Sequence, residues 1–436
     1  MQDILFQYQM NATTWAYLSS LIMIGVYFKF RRVWSVRNLD LIGLLCFAPG
    51  LLLVSPDLAN LGHKQLGYVW LFCVGGFFLV RLLMDAMMVR RPLLEPNLSA
   101  SGLTFACVAI LVFLMSNVIT PRLTRSDVEG AQWMDKLMAR QDSPAIQTYL
   151  NEHGPGYPLF FIFSTFSNQT VSTDQADETQ YNRALTRVAA TRTAAIVAHL
   201  AVVLGMMLIG YRHFDNIHTG VAAATLYLLL PYTAQYTPRV DHVVPAALLV
   251  WAVESYRRPV VAGLLVGLAA GFIYYPLFLL PLWCSFYWRR GLVRFSLGVL
   301  VVLALLVGSL ALTSSSLGSF SAQLRQMFGF MAGIFQPVGV TGFWADHPSA
   351  LILPVFAAFI AMCGAMVLWP AQKNLGTLLG CSAAIMLGAQ FWKAFDGGVY
   401  MAWYLPLLIL TIFRPNLEDR VALSAIREGW VRWRKK

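Results

Sequence analysis

Leu103-Thr-Phe-Ala-Cys-Val-Ala-Ile-Leu-Val-Phe-Leu-Met-Ser-Asn-Val-Ile-Thr120 runs for eighteen residues without a charge, and the next ten, Pro121-Arg-Leu-Thr-Arg-Ser-Asp-Val-Glu-Gly130, carry four. The first stretch is close to the roughly 20 residues that an α-helix needs to cross a bilayer at about 1.5 Å per residue. The second is an abrupt polar loop. Working outward, similar apolar runs fall at about 13–28, 40–55 and 66–84 before it, and at 188–211, 219–236, 242–256, 259–273, 275–288, 295–314, 349–369, 376–391 and 399–413 after it. The runs 259–273 and 275–288 share the corner Tyr274-Tyr-Pro276 and read as a tight hairpin or one kinked helix. Hydrophobic residues make up 58% of the chain and charged ones 12%, with a mean hydropathy of +0.61. Soluble domains are about a quarter charged. No ten-residue alternation points to a barrel, so the expected fold class is all-α, a polytopic transmembrane helical bundle of about 13 spans.

Orientation follows from lysine and arginine, which are retained in cytoplasmic loops. One alternate set of connections holds Lys29, Arg31, Arg32, Arg37, Arg90, Arg91, Arg212, Arg257, Arg258, Arg289, Arg290, Arg294, Lys373 and the tail Arg432-Trp-Arg-Lys-Lys436, and with Arg81, Arg414, Arg420 and Arg427 takes 21 of the 32 basic residues. This puts the N-terminus and the long loop 121–187 outside and the C-terminus in the cytoplasm, as in a multi-pass plasma (inner) membrane protein. The net charge of +11 is absorbed by loops lying against anionic lipid headgroups and calls for no nucleic-acid partner. The six cysteines, Cys46, Cys73, Cys107, Cys284, Cys363 and Cys381, all sit in apolar runs without CxxC spacing and read as small core hydrophobes.

Ionisable groups are scarce in the outward connections, which narrows the candidates. Asp127 and Glu129 follow the fourth span; Pro238-Arg-Val-Asp-His242 lies between the sixth and seventh; Gly342-Phe-Trp-Ala-Asp-His-Pro348 precedes the eleventh; Lys393 precedes the last. A carboxylate at the membrane boundary, partly desolvated, can take a proton from an attacking hydroxyl, and Asp127 heads the loop in that position. Arg239 and Lys393 are the cations suited to a lipid-linked phosphate. Asp241-His242 and Asp346-His347 can orient a substrate or ligate a divalent cation, Mg or Mn, although neighbours in sequence rarely ligate one ion and HxxxH, DxD and HExxH spacings do not occur. The plain alternatives are an interfacial ion pair for Arg239 and Asp241, and a helix cap for Asp346. Tyr157, Tyr236, Tyr275, Trp344, Trp392, Tyr400 and Trp403 belong to an aromatic set that fits an interfacial belt and also a carbohydrate platform.

Three stretches together resemble the polyprenyl-phosphate-sugar-dependent glycosyltransferases of the GT-C fold, of the mannosyl- and arabinosyltransferase kind. They are the loop opening with Ser126-Asp127 and closing with Gly154-Pro-Gly-Tyr-Pro-Leu-Phe160; the run from Asp241-His-Val-Val-Pro through Arg257-Arg-Pro-Val-Val-Ala-Gly-Leu-Leu-Val-Gly267 to Tyr275-Pro-Leu-Phe-Leu-Leu-Pro281; and Tyr400-Met-Ala-Trp-Tyr-Leu-Pro406. The resemblance spans roughly 101–415. Three spans precede it and the loop has a lone Asp127 in place of a paired acidic motif, departures from the family pattern. It implies three accessory helices in 1–100, a catalytic membrane domain in 101–415 and a basic tail in 416–436. It also implies transfer of a sugar from a polyprenyl phosphate to a glycan, lipid or protein acceptor on the extracytoplasmic face, with inversion. Asp127 would be the base, and Glu129, Tyr157, Arg239, Asp241, His242, Asp346, His347 and Lys393 would bind substrate. The competing expectation is a transporter or flippase of a lipid-linked or small polar substrate, which calls for ionisable groups deep within spans; His199 is the main one here and reads as a satisfied core histidine.

Overall fold

The computed structural model describes residues 11–55, 63–87, 94–119, 132–134, 136, 156–159, 161, 176–288, 291–326, 342–371, 373–393, 400–415 and 417, and among them no strand occurs. The N-terminal part holds α1 (Ala12–Tyr27), α2 (Val36–Leu45), α3 (Phe47–Val54), α4 (Lys64–Leu83) and α5 (Ala100–Ile119). After the long loop come α6 (Ala176–His213), α7 (Ile217–Leu229), α8 (Pro231–Gln235), α9 (Val240–Glu254), α10 (Pro259–Phe272), α11 (Leu280–Phe286) and α12 (Leu292–Thr313). The C-terminal part adds α13 (Leu317–Gln326), α14 (Ile352–Leu368), α15 (Leu375–Trp392) and α16 (Leu405–Phe413). Among the described residues six helical stretches are long and apolar enough to cross a membrane: Val36–Val54, which joins α2 and α3, Lys64–Leu83, Ala100–Ile119, Leu185–His213, Leu292–Thr313 and Leu375–Trp392. The chain is a helical multi-pass membrane protein.

Three expected boundaries move, each for a local reason. The helix expected to start near 188 already begins at Ala176, so α6 runs 38 residues, about 57 Å at 1.5 Å per residue; its polar first turns carry no hydropathy signal. The run 219–236 breaks at Leu230, which is extended (ψ 134°), because Pro231 cannot donate into the preceding turn. The Thr233 hydroxyl donates to the Tyr227 carbonyl freed there, at 2.6 Å. The Tyr274-Tyr-Pro276 corner resolves as a turn: α10 stops at Phe272, a 3-10 segment covers Tyr275–Leu279, and α11 follows.

The centre of the bundle is α15, whose membrane window is 89% buried, and its rim includes α5, at 22%. Apolar side chains on the rim, such as Phe105, Val112 and Leu305, are exposed, as lipid-facing surfaces are. Helices α10 and α12 pack backbone against backbone. Gly263, Gly267 and Gly271 form a stripe four residues apart along α10, and a Cβ on Gly263 would lie 2.2 Å from the Phe295 carbonyl oxygen. A Cβ on the facing Gly298 would lie 2.4 Å from that of Val260. Small residues at this spacing let two backbones touch where lipid offers no hydrophobic drive. One turn of the long loop, Gly156–Leu159, rests on this pair, with the Cβ position of Gly156 3.0 Å from the Gly271 carbonyl. The first helices are packed into the bundle: the Tyr27 hydroxyl of α1 donates to the Ala222 carbonyl of α7 at 2.8 Å, and α4 packs on α15.

Candidate functional site

The turn from α8 to α9 gathers three of the expected residues. The Thr237 hydroxyl folds back on the Thr233 and Ala234 carbonyls, both at 2.8 Å, and closes the end of α8. Arg239 then takes the N-cap position of α9, and Asp241 stands in its first turn, where the helix dipole favours a carboxylate. The guanidinium meets that carboxylate as a fork: Nε donates to Oδ1 at 3.0 Å and Nη2 to Oδ2 at 2.8 Å. Nη1 makes no hydrogen bond among the described residues. Burial works against the charge on Arg239, but Asp241 outweighs it, with the Tyr400 and Tyr157 hydroxyls adding to the effect, so its pKa lies well above the ordinary arginine value. The same interactions place Tyr157, a loop residue, and Tyr400 beside this centre.

His242 is 2% exposed and held on both edges. Nδ1 lies 2.6 Å from the Tyr232 hydroxyl and Nε2 3.6 Å from Asp241 Oδ2. Because Nε2 faces the Asp241 carboxylate, an acceptor, the imidazole proton belongs on Nε2, and the Tyr232 hydroxyl donates to Nδ1. The ring lies nearly parallel to Tyr236 (5.4 Å, 18°) and packs on Tyr400 (4.7 Å). From there Tyr400 stacks on Trp403 (4.5 Å), Trp403 on Tyr275 (5.1 Å), and Lys393 Nζ sits 5.8 Å from the Tyr275 ring. Lys393 is the C-cap of α15. Tyr232, Tyr275, Trp392 and Trp403 are buried, Tyr275 packing on both Trp392 and Trp403, whereas Tyr236 and Tyr400 keep partial exposure.

Asp346 and His347 form a separate group. Gly342, at φ 96°, turns the chain into the 3-10 segment Phe343–Ala345, and the Trp344 indole donates to the Phe391 carbonyl at 2.9 Å, one residue before Trp392. His347 stacks on Phe343 at 4.3 Å and 10°, with Nδ1 2.8 Å from the Phe343 carbonyl. Asp346 is exposed. Two residues of α4 that were not expected complete this group: Gln65 Nε2 donates to the Phe343 carbonyl at 3.0 Å, and Phe72 stacks on Phe343 at 3.9 Å. Asp127 and Glu129 lie outside the described residues. Among the described residues no group of three His, Cys, Asp or Glu side chains is placed to hold a metal ion.

A second charge centre lies at the other end of α4. Arg81 donates from Nε and Nη2 to the two Asp40 oxygens, at 2.9 and 3.0 Å, and from Nη1 to Asp85 Oδ1 at 3.0 Å. Arg414 Nη2 donates to Asp85 Oδ2 at 2.6 Å. None of the four side chains is more than 11% exposed. Gly376 and Gly380, one turn apart on α15, make room: a Cβ on Gly376 would lie 2.2 Å from Arg414 Nη1. A cavity of about 90 Å³ adjoins the group, lined by Leu82, Asp85, Met362, Met366, Trp369 and Cys381. Arg212 and Glu254 pair at the same end, where the His213 imidazole Nε2 lies 2.8 Å from the Glu254 carbonyl oxygen. His199, within α6, has Nε2 3.1 Å from the Thr237 carbonyl and Nδ1 3.3 Å from the Tyr227 hydroxyl, so both ring nitrogens are engaged. Arg81 with Asp85 was legible as an i,i+4 pair beside a span end; the other two members were not. No family model matches the chain, and no curated protein matches it in sequence.

Proposed function

We propose that the protein is an integral membrane glycosyltransferase of the GT-C kind, with thirteen spans, that moves a sugar from a polyprenyl phosphate to an acceptor hydroxyl at the extracytoplasmic face. The observation that carries this reading is Arg239. Its guanidinium is held flat and charged by Asp241, its Nη1 edge is left without a hydrogen bond among the described residues, and it stands next to Tyr157 of the long loop. A cation oriented in advance costs no reorganisation when charge develops on a leaving phosphate. The isoprenoid tail would lie along apolar helices and supply binding energy from a part of the donor that does not react.

In this mechanism the acceptor oxygen forms a bond to the anomeric carbon as the bond from that carbon to the phosphate oxygen breaks, inverting the centre. Asp127 takes the acceptor proton, and Arg239, with Lys393 nearby, holds the departing phosphate. Asp241 and His242 have their polar atoms committed to Arg239 and Tyr232, so they set the position of Arg239 from behind. The test is transfer of labelled sugar from crude polyprenyl-phosphate-sugar pools into membranes that contain the wild type or Asp127→Asn at matched expression and folding. Incorporation by the wild type and its collapse in the variant are expected. Full activity in a folded Asp127→Asn protein rules out the assigned base, and no incorporation by either across several sugars favours transport. Transport of a lipid-linked or small polar substrate is the second reading, and the buried group Asp40, Arg81, Asp85 and Arg414 at the span ends is the observation on its side, since buried ionisable residues in a membrane bundle mark pathways.

A further inference from the structure

Asp346 and His347 differ from Asp241 and His242 in one respect that decides what each pair can do. The carboxylate of Asp241 is closed by a guanidinium and both nitrogens of His242 face partners. Asp346, by contrast, makes no ion pair or hydrogen bond among the described residues and is exposed. His347 is half-buried, with its Nδ1 side turned to the Phe343 carbonyl. A carbonyl only accepts, so Nδ1 carries the proton and Nε2 keeps its lone pair; Nε2 has no partner among the described residues. The ring is fixed by a three-deep stack, Phe72 on Phe343 at 3.9 Å and Phe343 on His347 at 4.3 Å. Gln65 Nε2 donates to the same Phe343 carbonyl at 3.0 Å and lies 3.4 Å from Nδ1; both nitrogens being donors, they meet only through the carbonyl they share, and Gln65 fixes that carbonyl in place. Two adjacent acceptors without a countercharge disfavour a phosphate and favour a ligand that donates.

We propose that Asp346 and His347 form a hydroxyl-binding subsite for a saccharide, distinct from the anion-binding centre at Arg239, with Gln65 of α4 as its positioning residue. The identity of the ligand rests on the transferase reading. The subsite makes the acceptor a sugar-bearing molecule, and it makes α4 part of the site. The Trp344 indole bond to the Phe391 carbonyl and the packing of Phe72 on Phe391 tie it to the helix end that carries Lys393.

The experiment is saturation-transfer NMR on the full chain in lipid nanodiscs free of glycoside detergent, with methyl α-D-mannopyranoside, methyl α-D-glucopyranoside and methyl α-D-arabinofuranoside as probes. At least one is expected to bind, with affinity about tenfold weaker in Asp346→Asn and in His347→Phe, the loss that follows from one hydrogen bond to a charged or fixed acceptor. Gln65→Leu is expected to weaken binding by loosening the Phe343 turn and also to shift the His347 Nδ1 ¹⁵N signal, because the Phe343 carbonyl then accepts from Nδ1 alone. Three results overturn the proposal: no glycoside bound at about 50 mM, binding indifferent to both site variants, or tight Mn²⁺ binding that Asp346→Asn abolishes, which would make this a cation site. The readout needs no turnover. A transferase whose variants still bind every glycoside loses the subsite and keeps its activity, and a chain that binds glycosides here but transfers nothing keeps the subsite and loses the transferase.

Discussion

Replacing Arg81 with methionine is expected to destabilise the fold severely. The substitution removes three hydrogen bonds, two to Asp40 and one to Asp85. It leaves Asp40, at 3% side-chain exposure, without the guanidinium that it faces, while Asp85 keeps Arg414. Losing one partner of a buried pair costs about 3–5 kcal/mol, most of it the penalty of the charge left behind. The double variant Arg81→Met with Asp40→Asn removes that charge and leaves Asp85 and Arg414 as a neutral pair. Its expected cost is about 1–2 kcal/mol, so the two substitutions should couple favourably by about 2 kcal/mol or more. Reversible unfolding of the full chain in mixed SDS micelles, followed by tryptophan fluorescence, measures Arg81→Met, Asp40→Asn and the double variant on one scale. A cost below about 1 kcal/mol for Arg81→Met, or a double variant as unstable as the sum of the singles, would refute the view that the group is held together by charge compensation.

Gly298→Ala places a Cβ 2.4 Å from the Val260 carbonyl oxygen and is expected to cost about 1–3 kcal/mol, whereas Gly308→Ala on the same helix meets nothing within 4 Å and is expected to cost under about 0.5 kcal/mol in the same assay. Arg239→Lys keeps the charge and loses the fork, and is expected to lower sugar transfer by about 10- to 100-fold. The pKa of Arg239 is raised above its unfolded value, so its electrostatic contribution is complete below the ordinary arginine pKa and fades only as pH rises through the folded one. Stability measured from about pH 5 to pH 10 should therefore show no titration from this residue. Tyr232→Phe removes the hydroxyl 2.6 Å from His242 Nδ1 and is expected to cost about 1–2 kcal/mol and to shift the ¹⁵N signals of His242 toward a tautomer mixture.

The positions of the helices were legible because lipid-facing and core-facing residues are apolar alike, and hydropathy alone marks them. What hydropathy cannot register is helix made of polar residues, which is why the first turns of α6 were read as loop. At the candidate site the residue types were legible and their states were not. Asp241 and His242 read as available ligands; the Arg239–Asp241 ion pair, the plain alternative in that string, is the one formed, whereas nothing in it points to the bond between His242 and Tyr232. Asp40 lies 41 residues from Arg81 and Arg414 lies 329 from Asp85, separations at which no local pattern connects the partners. Gln65 and Phe72 escaped for the same reason: their role appears only when α4 is placed against the Phe343 turn.

Helix α9 begins at Arg239 and Asp241 and ends at Glu254, which pairs with Arg212. The helix is about 22 Å long and is tied to its neighbours at both ends, by Arg212 of α6 at Glu254 and by the Trp403 indole, which donates to the Asp241 carbonyl at 3.3 Å. Such a rod resists sliding along its own axis, because a shift of one turn would part the Arg212–Glu254 pair and the Trp403 bond together. A protein that exposes a cargo alternately to two compartments has to let some of its rods slide or tilt. One that works on a single surface gains from an immovable post.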